Sequence, residues 1–132
     1  MTNIKISDSV TTIGEGAFYG CSSLASIVIP DSVTGIGYRA FFQCSDLMSV
    51  SIGNSVTTIE EEAFCHCSSL TSITIPNSVT TIGYGAFFDC SSLASITFQG
   101  SIAQWKEIEF GDGWNDEIPA EVVHCTDGDV EI

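Results

Sequence analysis

The apolar residues of this chain fall into columns. Shifting the sequence against itself by 23 residues aligns Leu24, Leu47, Leu70 and Leu93, with Met1 at the head of the column. The same step aligns Ile4, Ile27, Val50, Ile73 and Ile96, and then Ile6, Ile29, Ile52, Ile75 and Phe98. Val10, Val33, Val56 and Val79 form another column, as do Ile13, Ile36, Ile59 and Ile82. Ala17, Ala40, Ala63 and Ala86 precede Phe18, Phe41, Phe64 and Phe87, and Cys21, Cys44, Cys67 and Cys90 close the unit. Ser, Thr, Gly and scattered charges lie between. A fixed period of about 20 to 50 residues with recurrent apolar columns predicts a solenoid, in which each unit buries its apolar face against its neighbours.

Within a unit, "LASIVI" and "LTSITI" alternate inward and outward over their last positions and are rich in β formers, which predicts a short strand. Pro30 and Pro76 end it. "DSVTGIG" and "NSVTTIG" add turn formers and two more inward residues. "GAFYGC", "RAFFQC" and "GAFFDC" predict a tight helical turn or irregular arc that closes the coil. Stacked coils then set their strands side by side as a parallel sheet, about 4.8 Å apart.

The pattern L-x-x-I-x-I-P-x-S-V-T-x-I-G-x-x-A-F-x-x-C resembles the BspA-like class of leucine-rich repeats, found largely in bacterial cell-surface proteins. The likeness covers residues 1–100, and "GSIAQWKEIEFGDGWN" with "VVHCTDGDVEI" is similar to the closing segment of such proteins from anaerobic gut-type bacteria. The resemblance implies an α/β repeat, a leucine-rich-repeat solenoid with short parallel strands, about four 23-residue coils and a C-terminal cap. It also implies a curved, non-catalytic binding or adhesion module, displayed at the cell surface of a bacterium or secreted.

From Gly100 the period fails. Ser101 and Gln104 make a capping box, and Ile102, Trp105 and Ile108 share one face of the helix that follows, so this face is expected to cover the last coil. "EVVHC" and "VEI" flank the turn sequence "TDGD", which predicts a closing pair of short strands. The expected division is a solenoid over residues 1–100 and a capping helix and hairpin over 101–132, in one domain whose 44% hydrophobic content fills a continuous core.

Charge narrows the function. Lys5, Arg39 and Lys106 face 17 acidic residues for a net charge of -14, which opposes nucleic acid and anionic lipid, since both need clustered Lys and Arg. Nine of those acids lie between Glu107 and Glu131, so the C-terminal quarter carries an acidic surface. No apolar run approaches about 18 residues and no charged-then-apolar leader follows Met1, so neither membrane insertion nor a signal peptide is expected.

Three sets of residues invite chemistry. The cysteine column reads as small buried apolar groups, with neighbours near the spacing at which a disulfide can form. "CHC", Cys65, His66 and Cys67, offers soft ligands or a thiol beside an imidazole, but Cys65 occupies the place of Tyr19, Phe42 and Phe88, and His66 that of Gly20, Gln43 and Asp89. One is a substituted packing residue and the other an exposed variable one, and zinc needs four converging ligands. Cys65 and Cys125 are expected to be the fast-reacting thiols. "DGWND" and "TDGD" hold oxygen ligands but lack the dozen-residue EF-hand spacing, so they read as turns. No G-x-S-x-G, phosphate-cradling glycine loop or convergent Ser, His and Asp set is present, so no catalytic residue, metal or cofactor is assigned.

Surface remains. If Ile27 and Ile29 point inward, period-two alternation sends Ser26 and Val28 outward, and likewise Ser49 and Ser51, Ser72 and Thr74, and Ser95 and Thr97. This ladder, bordered by Asn3 and Lys5, is the candidate binding face for a protein or glycan partner. The alternative is a solvated sheet on a purely structural spacer that presents other domains. At the N-terminal end Ile4, Ile6, Val10, Ile13 and Phe18 have no coil before them in this sequence, so either a longer array or an end-to-end homodimer through this coil is expected.

Overall fold

A computed structural model describes residues 3–132; Met1, expected at the head of the leucine column, lies outside the described residues, as does the side chain of Asn3. The chain winds as a stack of coils, two strands to each. β1 (Asn3–Lys5) and β2 (Thr12–Ile13) form the first, and β3 (Ser26–Ile29) and β4 (Gly35–Ile36) the second. β5 (Ser49–Ile52) and β6 (Thr58–Ile59) form the third, and β7 (Ser72–Ile75) and β8 (Thr81–Ile82) the fourth. A fifth coil starts with β9 (Ser95–Phe98), admits helix α1 (Ile102–Lys106) and resumes at β10 (Glu109–Phe110). The hairpin β11 (Val122–Cys125) and β12 (Gly128–Glu131) ends the chain.

Each coil has three flanks. The first carries the longer strands, paired in parallel and in repeat register: Ser26 opposite Ser49 and Ile27 opposite Val50 between β3 and β5, Ser72 opposite Ser95 between β7 and β9. The ladder is interrupted between β5 and β7, so this flank is two sheets, β1-β3-β5 and β7-β9-β11-β12. The second flank is a continuous parallel sheet of two-residue strands, β2-β4-β6-β8-β10, in segments whose residues are turn formers. The Ile13 column points inward from it. Beside it the Thr34, Thr57 and Thr80 hydroxyls each donate to the carbonyl oxygen of Thr11, Thr34 and Thr57 in the coil before, at 3.2 Å.

The third flank is the stacked arcs, and they are turns rather than helix. Ala40 N–H donates to Gly37 O and Cys44 N–H to Phe41 O, which makes Arg39 and Gln43 the third residues of successive β-turns, both at positive φ. Gly16, Glu62, Gly85 and Gly113 repeat the first of these positions, and Gly20, His66, Asp89 and Glu117 the second. Arc stacks on arc through backbone bonds such as Phe18 N–H to Ala40 O, Phe41 N–H to Ala63 O and Phe64 N–H to Ala86 O.

Inside, the phenylalanine column is a parallel stack with centroids 5.1 Å apart from Phe18 to Phe41 and from Phe41 to Phe64, and 5.4 Å from Phe64 to Phe87. Burial makes the apolar columns one core.

The 23-residue step ends at Gly100, as the sequence indicates, but the coil path goes on. Glu109 pairs with Thr81 and Phe110 with Ile82, 28 positions back, because α1 adds residues to the fifth coil before its path resumes. The fold is therefore the expected solenoid of short parallel strands with little helix, in five coils rather than four. The Ser101 capping box forms as read, with Ser101 Oγ accepting from Gln104 N–H and Gln104 Oε1 from Ser101 N–H. Trp105 and Ile108 are buried against the last coil, and Ile102 is partly so. Trp114 takes the place of alanine in the fifth arc, and its indole lies edge-on to Phe87, closing the phenylalanine stack.

Candidate functional site

All eight candidate residues of the strand face lie on the first flank. Val28, Ser49, Ser51, Ser72, Thr74 and Thr97 are exposed, and Ser26 and Ser95 are partly so. In register, Lys5, Val28 and Ser51 make one outer row, and Thr74, Thr97 and His124 the other. His124 was not placed there from sequence. Its signal was the alternation in "VVHC", which puts Val123 inward opposite Ile96 and the imidazole outward. There His124 Nδ1 meets Asp129 Oδ1 at 2.8 Å across the hairpin.

Val28, Ser51 and Thr74 run into a groove of about 1050 Å³ that crosses β3 and β5 at their C-terminal ends. Its floor is Val50 and Ile52, and its rim is Asp31, Asn54 and Gln99. Asp31 Oδ1 accepts from Asn54 N–H at 2.8 Å, which fixes that rim. The Ser32 hydroxyl lies buried at the same groove, with no hydrogen-bond partner among the described residues.

The arc flank has a different chemistry. Tyr19 and Phe42 stack at 5.0 Å, and the Arg39 guanidinium lies 5.0 Å from the Tyr38 centroid and 4.8 Å from that of Phe42. Arg39 donates through Nε to Glu62 Oε1 at 3.1 Å, with a second nitrogen at the same distance. This hydrogen bond raises the guanidinium pKa above its ordinary value. His66, one coil further, stands edge-on between Phe42 and Phe88, and its Nδ1 lies 2.9 Å from Asp89 Oδ2.

The cysteines are structural donors as well as apolar filler. The Cys44, Cys67 and Cys90 thiols donate to the carbonyl oxygens of Phe18, Phe41 and Phe64, at 3.1, 3.1 and 3.0 Å. Burial pushes the Cys44 thiol up to about 11. The Cys67 thiol is raised by its contact with Cys90 and by burial. Cys65 corrects the expectation of fast reaction: it is 1% exposed, and burial with the nearby Glu62 carboxylate pushes its thiol up to about 12. Cys125 is partly buried on β11, opposite Gly128, outside the arc column. Its thiol is also raised, by burial and then by Asp127 and Asp129. Among the described residues no three His, Cys, Asp or Glu side chains, those of Cys65, His66 and Cys67 included, converge as a metal site requires. Among those residues no helix is long and apolar enough to cross a membrane.

Comparison with known proteins agrees with this geometry. A solved leucine-rich repeat protein from Eubacterium ventriosum superposes with a TM-score of 0.65 at 26% identity, over 95% of this chain and 40% of its own. One from Bacteroides capillosus gives 0.59 at 26% identity, over 95% of this chain and 77% of its own. A leucine rich cell surface protein from Faecalibacterium prausnitzii is 32% identical with a TM-score of 0.56, over 83% of this chain and 35% of that one. No curated protein matches the chain. The family model described as BspA type Leucine rich repeat region matches residues 1–113 in 6 copies, running past Gly100 into the fifth arc. The chain belongs to the BspA-type leucine-rich repeat family.

Proposed function

We propose that this chain is a repeat module of a bacterial surface protein that binds a protein or glycan partner through the outer face of its longer strands. Repeats of this family are generally non-catalytic, and a cell-surface location rests on the description of the Faecalibacterium prausnitzii relative. The observation that carries the reading is the groove, where Ser51, Thr74, Asn54 and Gln99 offer hydroxyl and amide groups beside the exposed methyls of Val28. That lining suits a ligand rich in hydroxyls or amides with a small apolar edge. The face lacks the Tyr, Trp and Arg anchors of tight interfaces, so one module binds modestly and repeated display raises avidity.

The test is a screen of the isolated domain against glycans and host matrix proteins, repeated with Ser51→Glu combined with Thr74→Glu. Both side chains are exposed, so the fold should survive, as circular dichroism would show. Loss of binding supports the face. Undiminished attachment would leave the alternative, a structural spacer presenting other domains.

A second contact is favoured by the first coil, whose Ile4, Ile6, Val10 and Phe18 are only partly buried where the same columns elsewhere are closed. A preceding coil of a longer array, or a second copy meeting this one end to end, would cover them. Light scattering at tens of micromolar reads this directly, and a monomer that binds no hydrophobic dye would overturn it.

A further inference from the structure

The second and fourth coils present the same aromatic pair on the arc flank, Tyr38 with Phe42 and Tyr84 with Phe88. In the second coil the residue between them is Arg39, whose guanidinium lies over both rings and pairs with Glu62 in the coil above. In the fourth coil that residue is Gly85, at φ 59° where Arg39 has φ 52°. The backbone is the same and the side chain is gone. What remains is a cavity of about 300 Å³ lined by Tyr84, Gly85, Phe88, Glu62, Asp112 and Asp116, among others.

The rings record the difference. Phe42, under the Arg39 side chain, is 8% exposed, whereas Tyr84 is 56% exposed and Phe88 only partly buried. The carboxylate arrangement is also repeated. Gly113 stands where Glu62 stands relative to Arg39, and Asp116 Oδ2 comes within 3.1 Å of where a side chain on Gly113 would begin. Asp116 thus brings a carboxylate to the side of the cavity from which Glu62 reaches Arg39.

We infer that the fourth-coil cavity is a docking site for an arginine side chain of a partner protein, held between Tyr84 and Phe88 and paired with Asp116 and Asp112. The occupant is named by the protein's own second coil, which holds a guanidinium in the equivalent cradle. Charge agrees, since a chain of net charge -14 attracts cationic segments and the carboxylates of Asp112 and Asp116 line this cavity beside Glu62, which is already paired with Arg39. A planar guanidinium stacks on aromatic faces and forms bidentate pairs with carboxylates, which an ammonium does not. Rim exposure holds the affinity of a single arginine to the millimolar range, as for other lone solvated contacts. This site stands apart from the strand face and does not rest on that reading.

The test is a nuclear magnetic resonance titration of the intact chain with acetyl-Gly-Arg-Gly-amide, against the neutral citrulline and the lysine counterparts. Saturating shifts are expected at the Gly85 and Gly113 amides and the Tyr84 and Phe88 rings, with none from citrulline and weaker ones from lysine. Gly85→Arg, which fills the cradle from within as Arg39 does, should abolish the response. Asp116→Asn, an exposed change that leaves packing intact, should weaken it about tenfold. The proposal is overturned by equal shifts from citrulline or lysine, by shifts spread over the acidic C-terminal quarter, or by an unaltered response in either variant.

Discussion

The first and third coils are written in nearly the same residues, yet they differ in what those residues bury. Ala63, Phe64 and Cys67 are fully buried, whereas Ala17 is exposed and Phe18 and Cys21 only partly covered. Phe64 has an aromatic ring above and below, Phe18 has Phe41 alone among the described residues. A solenoid residue therefore owes its burial to the neighbouring coils, and its place in the stack matters as much as its own type.

The largest effect expected from this difference is on stability. Phe64→Ala should cost about 3 to 5 kcal/mol and Leu70→Ala about 2 to 5, because each opens a cavity closed on both sides. Phe18→Ala, in the same column, should cost less than half as much, since its ring is already partly hydrated. Urea melts of the three variants read the gradient, and equal losses for Phe18 and Phe64 would break the comparison.

This gradient was legible in the sequence, because the 23-residue step names the columns and their order. The arcs were less so. Gly16, Gly20 and Gly85 hinted at positive φ, but Arg39, Gln43, Glu62, His66 and Asp89 occupy the same two positions and hide the hint. The second sheet was missed because two-residue strands carry too little alternation to read as strands. The fifth coil was missed because α1 displaces the step, although "FGDGW" repeats the "IGYGA" of the fourth coil with aromatics in its apolar places. Of the candidate face, alternation gave the outward residues directly. The groove depends on how the turns after β3 and β5 stand beside the strand face, and the arginine cradle on comparing one arc with another, so neither follows from the apolar columns.

The two ends sharpen the comparison. At the C-terminal end Trp105 packs at 5.2 Å from Phe98 and 5.0 Å from Phe110, and Trp114 at 4.9 Å from Phe110. Trp105→Ala should cost about 3 kcal/mol and leave the last coil as open as the first. Hydrophobic dye binding should then rise at that end. No change in melting would mean that the hairpin alone closes the stack.

A smaller effect is expected from the thiols, and it has a definite sign. Burial on folding pushes the Cys44 thiol up from 9.0 to about 11 and the Cys65 thiol up to about 12, so between these limits the folded chain keeps protons that the unfolded chain has lost. The unfolded state then binds fewer protons, and stability falls as pH rises. The Cys44 contribution is fully present below about pH 9 and is lost through pH 11, at about 3 kcal/mol. Urea melts under reducing conditions should show that slope, and Cys44→Ala should flatten it. An unchanged slope would place the alkaline loss on other groups.

The smallest effect separates the arcs themselves. The first coil has glycine at both positive-φ positions, Gly16 and Gly20, whereas the second has Arg39 and Gln43. A side chain at φ 57° crowds its own carbonyl, and glycine does not. Against this, glycine gains freedom in the unfolded chain, which offsets part of the relief. Gln43 is exposed, and its N–H bond to Cys65 O belongs to the backbone, so Gln43→Gly removes strain while leaving the arc ladder in place. The net should be a gain of a few tenths to about 1 kcal/mol. Arg39→Gly relieves the same strain but gives up the guanidinium between Tyr38 and Phe42 and its pair with Glu62, so it should gain less or lose. If both glycine variants shift the melt alike, the Arg39 cradle contributes nothing to holding the second arc, and backbone strain alone distinguishes it from the first.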